Sequence, residues 1–373
     1  MDYDIVIIGA GVVGLSSAKE LSTLKKNVLV IEKNESFGME TSSRSSEVIH
    51  AGVYYPKNSL KANLCIKGNE LLYQLATKYN IPYKNCGKLI VATTSEEESR
   101  LQQIMNHSIS IGAKKVRILD KNEIKNLEPN VNAKSAIFFP TSGIIDSHSL
   151  MKFFFTKAKD GGVDFLFRSE VIAIEKMPNC YKILIKENNQ KDFSLVTTKV
   201  VINAAGLNSG KIAEIAGFDI DKLKYKIYYR KGIYFRVQKN LQKMPRMLIY
   251  PVPLEDATVG IHTVPELTGG MRLGPYDLWS KEIDYSVDES LLDLFYNAVK
   301  NFIPLIEKDN LNPDMAGIQA KRYGKGEKSR DFVIKEESEK GFPNFINLIG
   351  IESPGLTCSP AIGIEVKEIV KKL

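Results

Sequence analysis

Cysteine is scarce in this chain of 373 residues: Cys65, Cys86, Cys180 and Cys358 are scattered, with no Cys-x-x-Cys among them. That pattern excludes a disulfide framework and a zinc site, leaves no metal to expect, and fits a reducing, cytoplasmic setting. Long apolar runs are missing too; none approaches the roughly 20 residues that span a bilayer. No basic, apolar and small-residue leader is read before the first strand. Internal repeats, low-complexity tracts and long linkers are lacking. The lysines do not gather into an aromatic-interleaved stripe, so nucleic acid is not an expected partner. What remains is ordinary globular composition, 43% hydrophobic and 25% charged, with length enough for two sizeable cores. The net charge of +7 fits a small anionic substrate and leaves peripheral contact with an acidic membrane face open. Its plainer explanation is a lysine-rich solvated surface. Nothing fixes an oligomeric state, and a homo-oligomer stays open.

Against these gaps stands the N-terminus. Asp4-Ile5-Val6-Ile7-Ile8 is a short apolar strand, Gly9-Ala10-Gly11-Val12-Val13-Gly14 a glycine turn entering a helix, and Asn27-Val28-Leu29-Val30-Ile31 a second strand that ends at Glu32 and Lys33. This is the βαβ dinucleotide fingerprint. Gly9 permits the tight turn, Gly11 lets the backbone approach a pyrophosphate at the helix N-terminus beside Val13, and Gly14 lets helix and strand pack closely. Glu32 can accept hydrogen bonds from a ribose hydroxyl, with Lys33 beside it.

Further along, a polar stretch over 37–52 is too long for a simple turn and reads as a functional loop. Helices are predicted over Leu60–Tyr79, Glu96–Ile111, Ser149–Ala158, Asp288–Phe302 and Pro360–Lys372. Strands are predicted over Lys88–Ala92, Val171–Ile174, Tyr181–Lys186, Lys199–Gly206 and through the stretch Tyr225–Leu273. The fold class is α/β (α+β): a Rossmann-like domain built from 1–75, 145–220 and 325–373, and a strand-rich substrate domain from 76–144 and 221–324. Only one Gly-x-Gly-x-x-Gly occurs, because Gly324-Lys325-Gly326 lacks strand context and a third glycine. A flavin enzyme reduced by a nicotinamide would carry two. Asn203-Ala204-Ala205-Gly206 ends a strand in residues small enough to lie against a cofactor. Gly350-Ile351-Glu352-Ser353-Pro354-Gly355-Leu356-Thr357 opens the last helix, whose amides can face negative charge on a reduced flavin. The single dinucleotide is therefore expected to be FAD.

Glu47-Val48-Ile49-His50-Ala51-Gly52-Val53-Tyr54-Tyr55-Pro56, Ser59-Leu60-Lys61-Ala62, Cys86-Gly87-Lys88-Leu89-Ile90-Val91-Ala92, Tyr250-Pro251-Val252-Pro253, Gly260-Ile261-His262 and Leu273-Gly274-Pro275 closely resemble the L-2-hydroxyglutarate dehydrogenase/oxidase family. That family belongs to the FAD-dependent D-amino-acid oxidase superfamily, with glycine oxidase and glycerol-3-phosphate dehydrogenase. The resemblance covers nearly the whole chain. It implies the D-amino-acid oxidase/glycine oxidase type of fold, and oxidation of a small 2-hydroxy acid to the 2-oxo acid by hydride transfer to flavin N5, with the hydroxyl proton going to a base. The expected cofactor contacts are Gly9, Gly11, Val13, Gly14, Glu32, Lys33, Ser43, Arg44, Ser45, Val171, Ala204, Gly206, Gly350, Gly355, Leu356 and Thr357.

Of four histidines, His107 and His148 read as solvated or capping residues, whereas His50 and His262 fall where the family has histidine and are the catalytic candidates. For the substrate the candidates are Lys231, Arg272 and Lys321 as carboxylate anchors, and Tyr54, Tyr55 and Tyr250 as donors or walls. Three departures bear on the substrate and the flavin. Arg44-Ser45-Ser46-Glu47 replaces the family's His-Asn-Ser-Gly, so no histidyl–flavin bond forms there and the FAD is expected to be held without a covalent link. Arg230-Lys231-Gly232 replaces Phe-Arg-Gly. Gln319 stands where an arginine usually follows Ala316-Gly317-Ile318, and glutamine is no bidentate carboxylate clamp. The alternatives are a glycerol-3-phosphate dehydrogenase, an amino-acid oxidase, or a non-catalytic flavin module with a protein partner. The electron acceptor, whether oxygen, quinone or protein carrier, is not read from the sequence.

Overall fold

Residues 1–187, 193–253 and 260–373 are described in a computed structural model; positions 254–259 of the strand-rich stretch lie outside the described residues. The chain forms two compact units. The first is assembled from Met1–Ser43, Ser147–Tyr229 and Gln319–Leu373, the second from Arg44–Asp146 and Arg230–Ile318. The first boundary thus falls at Ser43 and not at 75. The helix Leu60–Tyr79 goes with the second unit because its Asn69 amide donates to the carbonyls of His50 (3.0 Å) and Thr141 (2.8 Å). The later boundaries follow residues 146, 229 and 318 instead of 144, 220 and 324.

Five parallel strands form the centre of the first unit, in the order Phe342–Ile349, Phe193–Asn203, Tyr3–Ile8, Val28–Ile31, Asp164–Leu166. Three antiparallel strands, Ser169–Lys176, Tyr181–Glu187 and Val333–Glu337, extend this sheet. The central strands are apolar on both faces, as layers covered on each side require. Their carboxyl ends share one edge, so Gly9, Glu32, Ala204 and Gly350 are brought together there from four distant stretches of sequence.

Helices Val12–Leu21 and Gly355–Val370 pack closely within this unit, and a Cβ on Gly363 would stand 2.5 Å from Ser16 Oγ. The last helix begins five residues before the predicted Pro360. Proline has no N–H to give to the carbonyl four residues back. Here Ser359 Oγ donates to that carbonyl of Leu356 at 2.9 Å, so the helix runs through. The helix predicted over 288–302 shrinks to Leu292–Val299 after a 3₁₀ turn, Glu289–Leu291, capped by the Asp288 carboxylate.

Three sheets build most of the second unit. One has the order Leu248–Pro251, Lys88–Ala92, Ser135–Phe139, Arg117–Asp120; another His262–Pro265, Met271–Ser280, Tyr228–Val237, Leu311–Lys321; the third is the short set Val48–Ile49, Gly143–Ile145, Tyr83–Lys84. Strand Lys88–Ala92 separates two cores. Leu89 and Val91 join Phe235 and Phe295 on one side, while Ile90 and Ala92 join Phe139 and Tyr250 on the other. Side chains alternate across a strand, so Lys88 is in register with Ile90 and Ala92 and shares their apolar face.

Candidate functional site

The glycine turn of the first unit has the shape its residue types demand. Gly9 adopts φ +105°, and a Cβ there would lie 2.6 Å from the Ala204 carbonyl oxygen; on Gly14 it would lie 2.0 Å from the Gly9 carbonyl oxygen. Helix and strand backbones therefore meet with no room for a side chain. Of the first-turn amides, which have no acceptor inside a helix, Val12 donates to Ser42 Oγ at 3.0 Å. Ser42 was not singled out from the sequence, because nothing local connects it to the fingerprint. Glu32 accepts from the Ala10 amide at 2.8 Å and the Asn34 amide at 2.9 Å, which ties the second strand's end to the turn. Lys33 is paired with Glu40 at 2.9 Å.

Other expected cofactor residues divide between the units. Ala204 and Gly206 (φ +53°) follow the strand Phe193–Asn203, and Gly350 (φ +67°) follows the strand Phe342–Ile349. Gly355, Leu356 and Thr357 form the first turn of the last helix. Val171 sends its side chain into the core with Ile8 and Ile31. Ser43 closes a 3₁₀ turn in the first unit. Arg44 and Ser45 belong to the second: the Arg44 guanidinium stacks on Tyr285 at 4.1 Å, and Ser45 Oγ accepts from the Glu47 amide. The cradle at the sheet edge, closed to any Cβ and faced by a helix N-terminus, fits an anionic dinucleotide phosphate.

A second constellation lies within the second unit. His262 is 3% exposed and opens the strand His262–Pro265. Its Nδ1 lies 2.8 Å from the Gly260 carbonyl oxygen, which can only accept, so Nδ1 carries the proton and Nε2 a lone pair. Burial pushes the imidazole pKa down to about 3, Lys88 adding to the shift, so the ring is neutral near pH 7. Tyr250 stacks on it, centroids 3.7 Å apart. The hydroxyls of Tyr54 and Tyr250 and His262 Nε2 are all buried and have no hydrogen-bond partner among the described residues. Leaving such groups unsatisfied costs about 1–3 kcal/mol each, and three of them on neighbouring side chains call for a polar partner. Burial raises both tyrosines well above their ordinary pKa, keeping them as neutral donors. His50 follows the strand Val48–Ile49, half-buried, with its carbonyl held by Asn69.

The three expected carboxylate anchors are already matched with acids. Lys231 donates to Asp284 Oδ2 at 2.5 Å, and this bond holds the Asp284 carboxyl down at about 2. Arg272 meets Glu266 at 2.8 Å and Asp314 at 2.6 Å, and Arg236 meets the same two acids. Lys321 falls in the first unit and is paired with Glu352 at 2.8 Å. In the structure each of these three expected anchors is thus engaged in an ion pair with an acid. Arg272→Met is expected to lower stability by about 2 kcal/mol, because it strands part of two acids, while carboxylate binding stays unchanged; thermal melting and calorimetry check this. Lys88 was missed. It is 1% exposed, and its Nζ lies 4.8, 5.1 and 5.5 Å from the ring centroids of Tyr250, Phe139 and Tyr54. Burial lowers its pKa to about 7. Its signal in the sequence is one of phase: a lysine at the first of three alternating positions whose other two, Ile90 and Ala92, are apolar.

A fold with this strand order and glycine cradle is of the dinucleotide-binding class, and the residues from 4 to 369 match one family description. The chain belongs to the FAD-dependent oxidoreductases of the D-amino-acid oxidase type. FAD is its cofactor, and the Gly9–Gly14 turn fits the phosphates. Among curated relatives, the chain is 34% identical to the mitochondrial L-2-hydroxyglutarate dehydrogenase of Arabidopsis thaliana, over 96% of this chain and 81% of that protein. It is 31% identical to a glycerol 3-phosphate dehydrogenase of Caloramator mitchellensis, over 100% of this chain and 74% of that protein. Among solved structures, the dithionite-reduced, FAD-bound L-α-glycerophosphate oxidase of Mycoplasma pneumoniae superposes with a TM-score of 0.86 at 27% identity, covering 99% of this chain and 94% of that one. Glycine oxidase from Geobacillus kaustophilus shares the fold, with a TM-score of 0.82 at 19% identity over 99% and 95% of the two chains. Among the described residues no helix is long and apolar enough to cross a membrane.

Proposed function

We propose that this enzyme oxidises a small 2-hydroxy acid of the L-2-hydroxyglutarate kind to the 2-oxo acid. The observation that carries the reading is the set of unpartnered groups in the second unit. Two hydroxyl donors, Tyr54 and Tyr250, accompany one imidazole acceptor, His262 Nε2, in a dry setting. A 2-hydroxy acid presents the complementary set, a carboxylate that accepts and a hydroxyl that donates. Similarity to the Arabidopsis dehydrogenase supports the same substrate class. Bound FAD supplies a two-electron acceptor for the hydride. The protein's part is to bind and to move a proton: His262 Nε2 takes the hydroxyl proton as the carbonyl forms and the α-hydrogen leaves with its electron pair. Gly260 and Tyr250 fix the ring's tautomer and plane meanwhile.

The flavin is held without a covalent bond in this reading, since Arg44 stands where the family's histidine would be. A second reading, oxidation of glycerol 3-phosphate, is favoured by the Caloramator relative and the Mycoplasma oxidase. Mixing the FAD-loaded protein without oxygen with L-2-hydroxyglutarate, other 2-hydroxy acids, glycerol 3-phosphate and amino acids separates the two. Bleaching of the flavin by hydroxy acids is expected. Bleaching by glycerol 3-phosphate alone selects the second reading, and no bleaching by any of them sinks both.

A further inference from the structure

The anchors expected for the substrate are paired with Asp284, Glu266, Asp314 and Glu352, yet an anion taken into a buried setting needs a charge to meet it. Lys88 differs from those anchors. No acidic side chain pairs with it among the described residues; three aromatic faces surround its ammonium instead, and two of them, Tyr54 and Tyr250, carry the unpartnered hydroxyls. Register explains the placement: Lys88 is paired with Leu248 on one side and Phe139 on the other, and Ile90 with Tyr250. Two neighbouring strands thus enclose the lysine and bring Tyr250 alongside.

We propose that Lys88 is the cation that holds the substrate's carboxylate, with the Tyr54 and Tyr250 hydroxyls as companion donors and His262 Nε2 as the acceptor of the α-hydroxyl. This assignment rests on the hydroxy-acid reading and deepens it by naming the group that selects an anion.

A buried ammonium with no acidic partner destabilises the empty protein. Three ring faces attract it, but its lowered pKa shows that desolvation outweighs them. The pair Lys88 and His262 therefore looks like stability given up for binding. The titratable groups near Lys88 are Tyr54 and Tyr250, whose rings its ammonium meets, His262 and the Cys65 thiol. Because the lysine's folded pKa lies below its unfolded one, the penalty is complete below about pH 7 and fades as pH rises toward the ordinary lysine value near 10.5.

The test uses FAD-loaded wild type, Lys88→Met and Lys88→Gln, with glutarate as a non-reacting carboxylate probe, inorganic phosphate as the competing anion and glutaramide as a neutral control. Calorimetry is expected to show glutarate binding weakened by about thirtyfold or more in both variants, the loss of a charge-assisted hydrogen bond, with glutaramide unaffected. The thermal midpoint of unliganded Lys88→Met is expected to rise above wild type, by more at pH 6 than at pH 9. Unchanged glutarate affinity overturns the proposal. So does a fall in the midpoint together with weaker binding, which marks Lys88 as a structural prop. Lys88-dependent binding of phosphate but not of glutarate overturns the carboxylate assignment. None of these readouts needs turnover, so a failure of the hydroxy-acid reading in the substrate screen stays separate from a failure here.

Discussion

With His262 replaced by glutamine, anaerobic flavin reduction by the preferred hydroxy acid falls by about two to four orders of magnitude, the usual contribution of a positioned general base. Glutamine retains hydrogen-bonding capacity but has no lone pair basic enough to take the proton. The size of the effect follows from how the imidazole is held. Its Nδ1 proton is directed to the Gly260 carbonyl and its face is packed on Tyr250; burial keeps Nε2 unprotonated throughout the neutral range but also weakens it as a base, so the lower end of that span is expected. No acid limb is then expected in the rate profile near the ordinary histidine value of about 6.5. Stability provides an independent check. Between about pH 3 and 6.5 the unfolded chain binds a proton at His262 that the folded protein excludes, so stability falls as pH drops through that window. His262→Gln removes this part of the acid sensitivity. His50→Ala, measured beside it, decides between the two histidines. An unchanged rate in both variants would remove histidine from the mechanism.

Gly14→Ala is expected to yield a protein that purifies without yellow colour and melts far below wild type. The added methyl would stand 2.0 Å from the Gly9 carbonyl oxygen, and the contact is with backbone, which cannot swing away as a side chain can. The helix Val12–Leu21 must move off the strand Tyr3–Ile8, at a cost of about 3 kcal/mol or more. Its N-terminus then leaves the sheet edge where a phosphate would sit. Gly162→Ala is the control. Gly162, unlike Gly14, has a positive φ, +84°, but nothing lies within 4 Å of the added atom, so only backbone strain of about 1 kcal/mol is expected, with full flavin content. Flavin absorbance per protein and thermal melting read both variants. Wild-type flavin content in Gly14→Ala would show that the cradle lies elsewhere.

How legible the protein was depends on how local each feature is. The helix Leu60–Tyr79 and the strand Lys88–Ala92 appear as predicted, since Ser59 caps the first and Gly87 turns into the second within a few residues. The last helix was cut short in the prediction, because Pro360 is a strong local breaker and the hydroxyl of Ser359 that compensates for it shows only in three dimensions. Lysine and arginine are read from the sequence by charge alone, which says nothing of their partners: Lys231 and Lys321 find acids 53 and 31 residues away, and Arg272 one 42 residues away besides the nearer Glu266. Lys88 is placed in a strand by the sequence, but its burial follows only from Leu248 and Phe139 on the two neighbouring strands.

The sequence by itself determined the dinucleotide type of fold and which turn has the shape to take a phosphate. The constraints there are steric and act within about thirty residues: a positive φ at Gly9, no Cβ at Gly14, an acid at Glu32. It also determined the two histidines worth testing, through a resemblance confined to short blocks. Only the tertiary structure decided which charges are already matched, which histidine has a free lone pair, and which lysine is buried without an acid. Pairing energy and desolvation depend on distances across the fold, and in this chain those distances are set by strands that meet from opposite ends of the second unit.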